Sequence, residues 1–132
     1  MSISNRKVVI VGAGHVGSHV GYALISQSLA DEIVYIDSDH AKAVAQALDL
    51  TDATNYLPVR TKVIAGDYSD AKDAQIMIIS AGPLPTGNQT RMDTLGQTIA
   101  ILKDVTKSIK ESGFDGIIVN ISNPADVITH YI

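Results

Sequence analysis

Short runs of β-branched and aliphatic residues alternate along the chain with longer stretches in which apolar positions recur every three or four residues. The first pattern belongs to strands and the second to helices, and their alternation predicts β-α-β units wound on both faces of a parallel sheet. Strands are expected at 7–11, 32–36, 62–65, 75–80 and 116–120. Residues 8–11 and 76–79 are apolar without interruption, which suits strands covered on both faces, so these two are expected at the centre of the sheet.

The first helix is expected over about 15–28, with Val16, Val20, Ala23 and Leu24 at helical spacing and Gly17 and Gly21 forming a smooth patch for close packing. A second, alanine-rich helix begins near Asp39, carries Val44, Ala47 and Leu48, and ends before Pro58. The third places Met92, Leu95, Ile99, Leu102, Thr106 and Ile109 on one face and stops at Gly113. Pro83, Pro85 and Gly87 make the preceding segment a loop. After the fifth strand, Asn123-Pro124 leads into the first turns of another helix over 125–132. A doubly wound α/β fold of this kind has six strands in the order 3-2-1-4-5-6, so five strands leave the fifth as an open edge. The expectation is one such domain over 1–132, truncated near its C-terminal end.

Composition narrows the functional classes. With 10 basic and 14 acidic side chains, a net charge of -4 and no basic cluster, the chain has no footprint for nucleic acid. It has no cysteine, so disulfides and thiolate metal sites are excluded. No apolar run approaches the ~20 residues of a membrane span. The polar residues 1–7 lack a leader-like apolar stretch, so a cytoplasmic location is expected. Tyr35, Tyr56 and Tyr131 read as packing residues. His15 and His19 stand four apart without a third ligand in sight, and no metal is expected.

The segment Gly12-Ala13-Gly14-His15-Val16-Gly17 leaves an apolar strand and enters a helix, the context that raises Gly-x-Gly-x-x-Gly above a chance string. Gly12 permits a tight turn, Gly14 leaves room for a pyrophosphate, and Gly17 lets helix and strand pack closely. The phosphates would then meet free N–H groups and the positive end of a helix dipole. Asp37 stands twenty residues after Gly17, at the end of the second strand, where its carboxylate suits a ribose 2'-hydroxyl and repels a 2'-phosphate. The expected fold is therefore Rossmann-type and the expected cofactor NAD rather than NADP. A glycine-rich turn without a ligand, and an Asp37 that merely caps the second helix, are the alternatives.

Two further strings are more specific. Ala81-Gly82-Pro83-Leu84-Pro85-Thr86-Gly87-Asn88-Gln89-Thr90-Arg91, followed by the long helix and Val119-Asn120-Ile121-Ser122-Asn123-Pro124-Ala125-Asp126, resembles the N-terminal half of the lactate/malate dehydrogenase family, nearest its L-lactate and L-2-hydroxyisocaproate branch. The resemblance implies a 2-oxo or 2-hydroxy acid substrate, homo-oligomeric assembly, and a mobile loop over 83–90 that closes on substrate. It implies that Arg91 polarises the reacting carbonyl, and that Asn123 bonds the same oxygen beside the nicotinamide. It also implies cofactor contacts at Gly12, Gly14, His15, Val16, Gly17, Asp37, Lys42, Tyr68, Ala81, Gly82, Ser122 and Asn123. At the loop position where malate enzymes carry Arg, this chain has Pro85 beside Leu84, so a second substrate carboxylate would be unpaired.

Such chemistry also needs a base and a cation for the substrate carboxylate. The family holds these in Asp-x-x-Arg and Gly-Glu-His-Gly segments, and neither occurs in the 132 residues. The expectation is an NAD-binding part of an L-2-hydroxy acid oxidoreductase, inactive alone. A non-catalytic NAD-binding module and a malate dehydrogenase fragment are the alternatives.

Overall fold

Runs of Val and Ile flanked by turn residues become strands because branched side chains pack well on a pleated surface. The computed structural model describes residues 5–132, and residues 1–4 of the polar lead-in lie outside them. The strands are β1 (Lys7–Val11), β2 (Glu32–Ile36), β3 (Lys62–Ala65), β4 (Ile76–Ile79) and β5 (Ile117–Asn120). All pair in parallel in the order β3-β2-β1-β4-β5, which is the expected winding. β1 is central and buried along its whole length. β5 pairs with β4 alone, and Ile117 keeps 67% of its surface exposed, as expected for an open edge.

The helices are α1 (His15–Ser26), α2 (His40–Thr54), α3 (Leu95–Ser112) and α4 (Ala125–Tyr131). A short 3-10 helix over Tyr68–Ala71, absent from the sequence reading, is closed by Asp67 and Asp70, whose carboxylates accept the Ser69 and Asp67 backbone N–H groups at 2.7 and 2.9 Å. Alternate residues of the strands divide the core in two. One cluster joins Val9, Val11, Met77 and Ile79 to Leu102, Val105 and Ile109 of α3 and Ile128 of α4. The other joins Val8, Ile10, Ile33 and Tyr35 to Ile25 of α1 and Ala43, Ala47 and Leu50 of α2.

The buried helix faces differ only in part from those expected. α1 packs through Gly17 and Gly21, as expected, and through Ile25, with Val20 and Leu24 half-buried, while Val16 and Ala23 are exposed. α2 buries Ala43, Ala47, Leu50 and Thr54 and exposes Val44 and Leu48. Small residues sit where the approach is closest, Gly17 against the Gly12 carbonyl and Gly21 against the Tyr35 hydroxyl, while Ile25 and Leu50 fill the wider space beside them. α3 begins at Leu95, because a turn of Thr90 and Asp93 precedes it, and Met92 is left exposed. Gly113 stops α3 in the left-handed conformation, as expected. Tyr35 is fully buried, but Tyr56 is 92% exposed and Tyr131 also faces solvent, so neither packs a core.

An ion pair closes the edge of the sheet opposite the strand C-termini. The Asp31 carboxylate accepts from the Arg6 backbone N–H, Nε and Nη2 at 2.9, 3.0 and 2.7 Å, and Arg6 Nη1 donates to the Ser28 carbonyl. These donors hold the Asp31 carboxyl down at about 2, against an ordinary 3.8. A carboxyl depressed in the folded state stabilises the fold above its unfolded pKa and loses that contribution as pH falls through the folded value. Asp31→Asn is therefore expected to lower the urea midpoint at pH 7, and the difference from wild type should close between about pH 4 and pH 2; an undiminished gap at pH 2 would refute the linkage. Leu102→Ala, which empties a fully buried site, is expected to cost about 2–5 kcal/mol in urea unfolding.

Candidate functional site: the groove at the strand C-termini

Beyond Val11 the chain turns sharply, with Gly12 at φ 104°, a conformation that side-chain-bearing residues rarely adopt. Its N–H donates to the Ile36 carbonyl at 2.7 Å, and a Cβ there would come within 2.8 Å of the Ser80 carbonyl oxygen. Ser80 Oγ shares its proton between the carbonyls of Gly12 at 3.1 Å and Val11 at 3.2 Å, which ties the turn to the end of β4. Gly14 is the N-cap of α1 with no side-chain cap, and no atom lies within 4 Å of where its Cβ would be. The first N–H groups of a helix have no partners within it, so the turn presents donors and a positive dipole end to open space. Behind it Gly17 abuts the Gly12 carbonyl, where any Cβ would overlap.

Asp37 stands at the end of β2 and is joined to that turn. Its Oδ2 accepts the Ala13 N–H at 2.7 Å, and its Oδ1 accepts the Asp39 N–H at 2.9 Å. The N-cap of α2 is Asp39, whose carboxylate accepts the Lys42 N–H at 3.3 Å, so Asp37 is not spent on capping the helix. Tyr68 completes this corner. Burial, with a further push from the Asp37 charge, raises its phenol to about 12, so it stays a proton donor near neutral pH.

A groove of about 560 Å³ runs across these elements. Of the residues singled out in the sequence, Gly12, Gly14, Asp37, Lys42, Tyr68, Ala81 and Gly82 line it. His15 and Val16 are exposed at the start of α1, Gly17 is buried behind the turn, and none of the three forms a wall. The opposite wall was missed: Ile101, Asp104, Val105 and Ser108 of α3 face the groove. Their spacing of three, four and seven residues marks one helix face, a legible signal obscured by the neighbouring core face of Leu95, Ile99, Leu102 and Ile109. Ser38 and Ser80 also line it. A second groove of about 510 Å³, between α3 and Tyr131, contains none of the candidate cofactor or catalytic residues.

Arg91, Ser122 and Asn123 lie outside the groove walls. Arg91 is exposed in the turn before α3, where Thr90 N–H and Oγ1 donate to Asp93 at 2.6 and 2.8 Å and Thr94 Oγ1 donates to the Arg91 carbonyl. These donors keep the Asp93 carboxyl below the usual range. Ser122 is buried, with its N–H on Asn120 Oδ1 at 3.1 Å, and Asn123 is exposed before a cis bond to Pro124. Among the described residues no three metal-ligating side chains come together, and no helix is long and apolar enough to cross a membrane.

The chain is similar in sequence and fold to known proteins. Residues 6–132 match the family model described as lactate/malate dehydrogenase, NAD binding domain. The chain is 45% identical over 132 residues to L-lactate dehydrogenase 3 of Bacillus cereus, covering all of this chain and 42% of that protein. Among solved structures, lactate dehydrogenase from Cryptosporidium parvum with lactic acid and nicotinamide adenine dinucleotide superposes with a TM-score of 0.90 at 28% identity, over 98% of this chain and 41% of that one. Malate dehydrogenase from Archaeoglobus fulgidus with NADH gives 0.87 at 34% identity, over 94% and 42%. The chain thus spans well under half the length of these proteins. An uncapped helix start supplies N–H donors, Gly14 leaves open space and the Asp37 carboxylate at the groove wall is an acceptor, the combination that a dinucleotide requires. The chain belongs to the lactate/malate dehydrogenase family and comprises its NAD-binding domain.

Proposed function

We propose that the chain is the nucleotide-binding part of an L-2-hydroxy acid oxidoreductase of the L-lactate type. The observation that carries this reading is the bond from Ala13 N–H to Asp37 Oδ2, which sets an anion-binding helix start and a ribose-binding carboxylate at one fixed spacing along the groove. His15, Val16 and Gly17 would face the pyrophosphate through backbone N–H groups, with Asp37 on the adenosine ribose and Lys42 and Tyr68 beside it. Ala81, Gly82 and Ser122 would border the nicotinamide end. When bound, NADH supplies the hydride that reduces a 2-oxo acid.

The catalytic part of the reading rests on Arg91 and Asn123. A loop over 83–90 that closed on the groove would exclude water and bring the Arg91 guanidinium to the substrate carbonyl, where it would oppose the negative charge that grows on oxygen. Asn123 would donate to the same oxygen. Leu84 is 69% exposed on this loop and stands beside Pro85. Together they would give the lid an apolar lining, which favours a hydrocarbon side chain on the substrate over a second carboxylate. The similarity to a B. cereus L-lactate dehydrogenase supports this choice. The family's base and carboxylate clamp are not among these 132 residues, so binding without turnover is proposed for the chain by itself.

Two experiments test the reading. In calorimetric titrations the chain is expected to bind NADH well above NADPH. Asp37→Ser should weaken NADH by about tenfold, the scale of a charged hydrogen bond, while narrowing the preference over NADPH. An unchanged preference in the variant would remove Asp37 from the site. With NADH and pyruvate the chain should show no sustained oxidation; a rate abolished by Arg91→Ala would establish that these residues suffice for catalysis.

A further inference from the structure

Three consecutive residues, Tyr35 and Ile36 of β2 and Asp37 just after it, grip the glycine turn. Asp37 accepts from Ala13, the Ile36 carbonyl accepts from Gly12, and the Tyr35 hydroxyl donates to the Gly17 carbonyl at 3.1 Å. The third grip differs from the others because it reaches behind the turn, from the core. Tyr35 is fully buried, and its hydroxyl occupies the notch left by the missing side chain of Gly21. A Cβ on Gly21 would overlap that oxygen and come within 2.9 Å of Leu50 Cδ1. Burial pushes the phenol above its ordinary value, so the hydroxyl keeps its proton and donates near neutral pH.

We propose that Tyr35 is a positioning residue for cofactor binding: its hydroxyl, keyed between Gly21 and the Gly17 carbonyl, sets the first turn of α1 at a fixed separation from the Asp37 carboxylate. This rests on the reading that the groove takes a dinucleotide. A ligand with both a pyrophosphate and an adenosine ribose needs that separation, whereas adenosine, which engages only the ribose end, does not. The same lock holds the turn in the free protein. Ser18 N–H, which closes the first turn of α1 on the Gly14 carbonyl at 2.9 Å, should therefore open more readily without it.

The test is Tyr35→Phe, which keeps the ring and removes the hydroxyl, read by NMR in two ways. NADH is expected to bind roughly three- to tenfold more weakly, the scale of one buried hydrogen bond, with adenosine unchanged. In the ligand-free protein, Ser18 amide exchange should accelerate several-fold relative to Val9 in β1. Gly21→Ala, which drives a methyl group into the place of the hydroxyl, should give the same split between the two ligands. Equal weakening of NADH and adenosine, or unaltered NADH affinity, would reduce Tyr35 to a core residue. If the wild-type chain bound no NADH, the reading of the groove would fail, while unchanged Ser18 exchange would by itself overturn the lock.

Discussion

A Cβ on Gly17 would overlap the carbonyl oxygen of Gly12, and the Tyr35 hydroxyl already fills the space a Cβ on Gly21 would need. At these two positions α1 meets the glycine turn and Tyr35 more closely than a side chain would permit, and the arrangement of the site follows from it. It allows the chain to leave β1, turn within three residues and start a helix whose first N–H groups point along the strand C-termini. It places the end of β2 against that turn, so that Asp37 can bond Ala13 directly.

The groove combines fixed and exposed parts. Its floor consists of strand ends, the glycine turn and Asp37, held by backbone hydrogen bonds and by Ser80. The segment before α3 is less constrained: Arg91 and the neighbouring loop are exposed, and the turn that sets Arg91 is built from local bonds among Thr90, Asp93 and Thr94. Local bonds of this kind leave the segment free to move as a unit, whereas the floor cannot shift without breaking the sheet. In the proposed function, binding would rest on the rigid elements and chemistry on the exposed segment, a division common to enzymes that close over their substrates.

Much of the framework was legible because it rests on local chemistry. Strand positions followed from branched apolar runs, the stop of α3 from Gly113, and the turn after β1 from three glycines in register with a strand and a helix. Asp37 was legible from its distance to Gly17. The buried faces of α1 and α2 were legible only in part: Gly17, Gly21 and Ala47 pack inward as expected, but Val16, Val44 and Leu48 turn outward while Ile25, Ala43 and Leu50 are buried, because apolar spacing alone does not say which side of a helix meets the sheet. The α3 wall of the groove was hidden for a related reason: one helix carries a core face and a groove face side by side, and hydrophobic spacing reports only their sum.

By itself the sequence determined the succession of strands and helices, the glycine turn and the candidate carboxylate, since each depends on residues near one another in the chain. Only the tertiary structure decided what faces what. It put Asp37 on the Ala13 N–H rather than at the cap of α2, brought Ile101, Asp104, Val105 and Ser108 across from β2, and keyed Tyr35 into the space beside Gly21. These pairings join segments distant in sequence, and their geometry is set by how closely a helix can approach a sheet, a distance that periodicity along one segment does not encode.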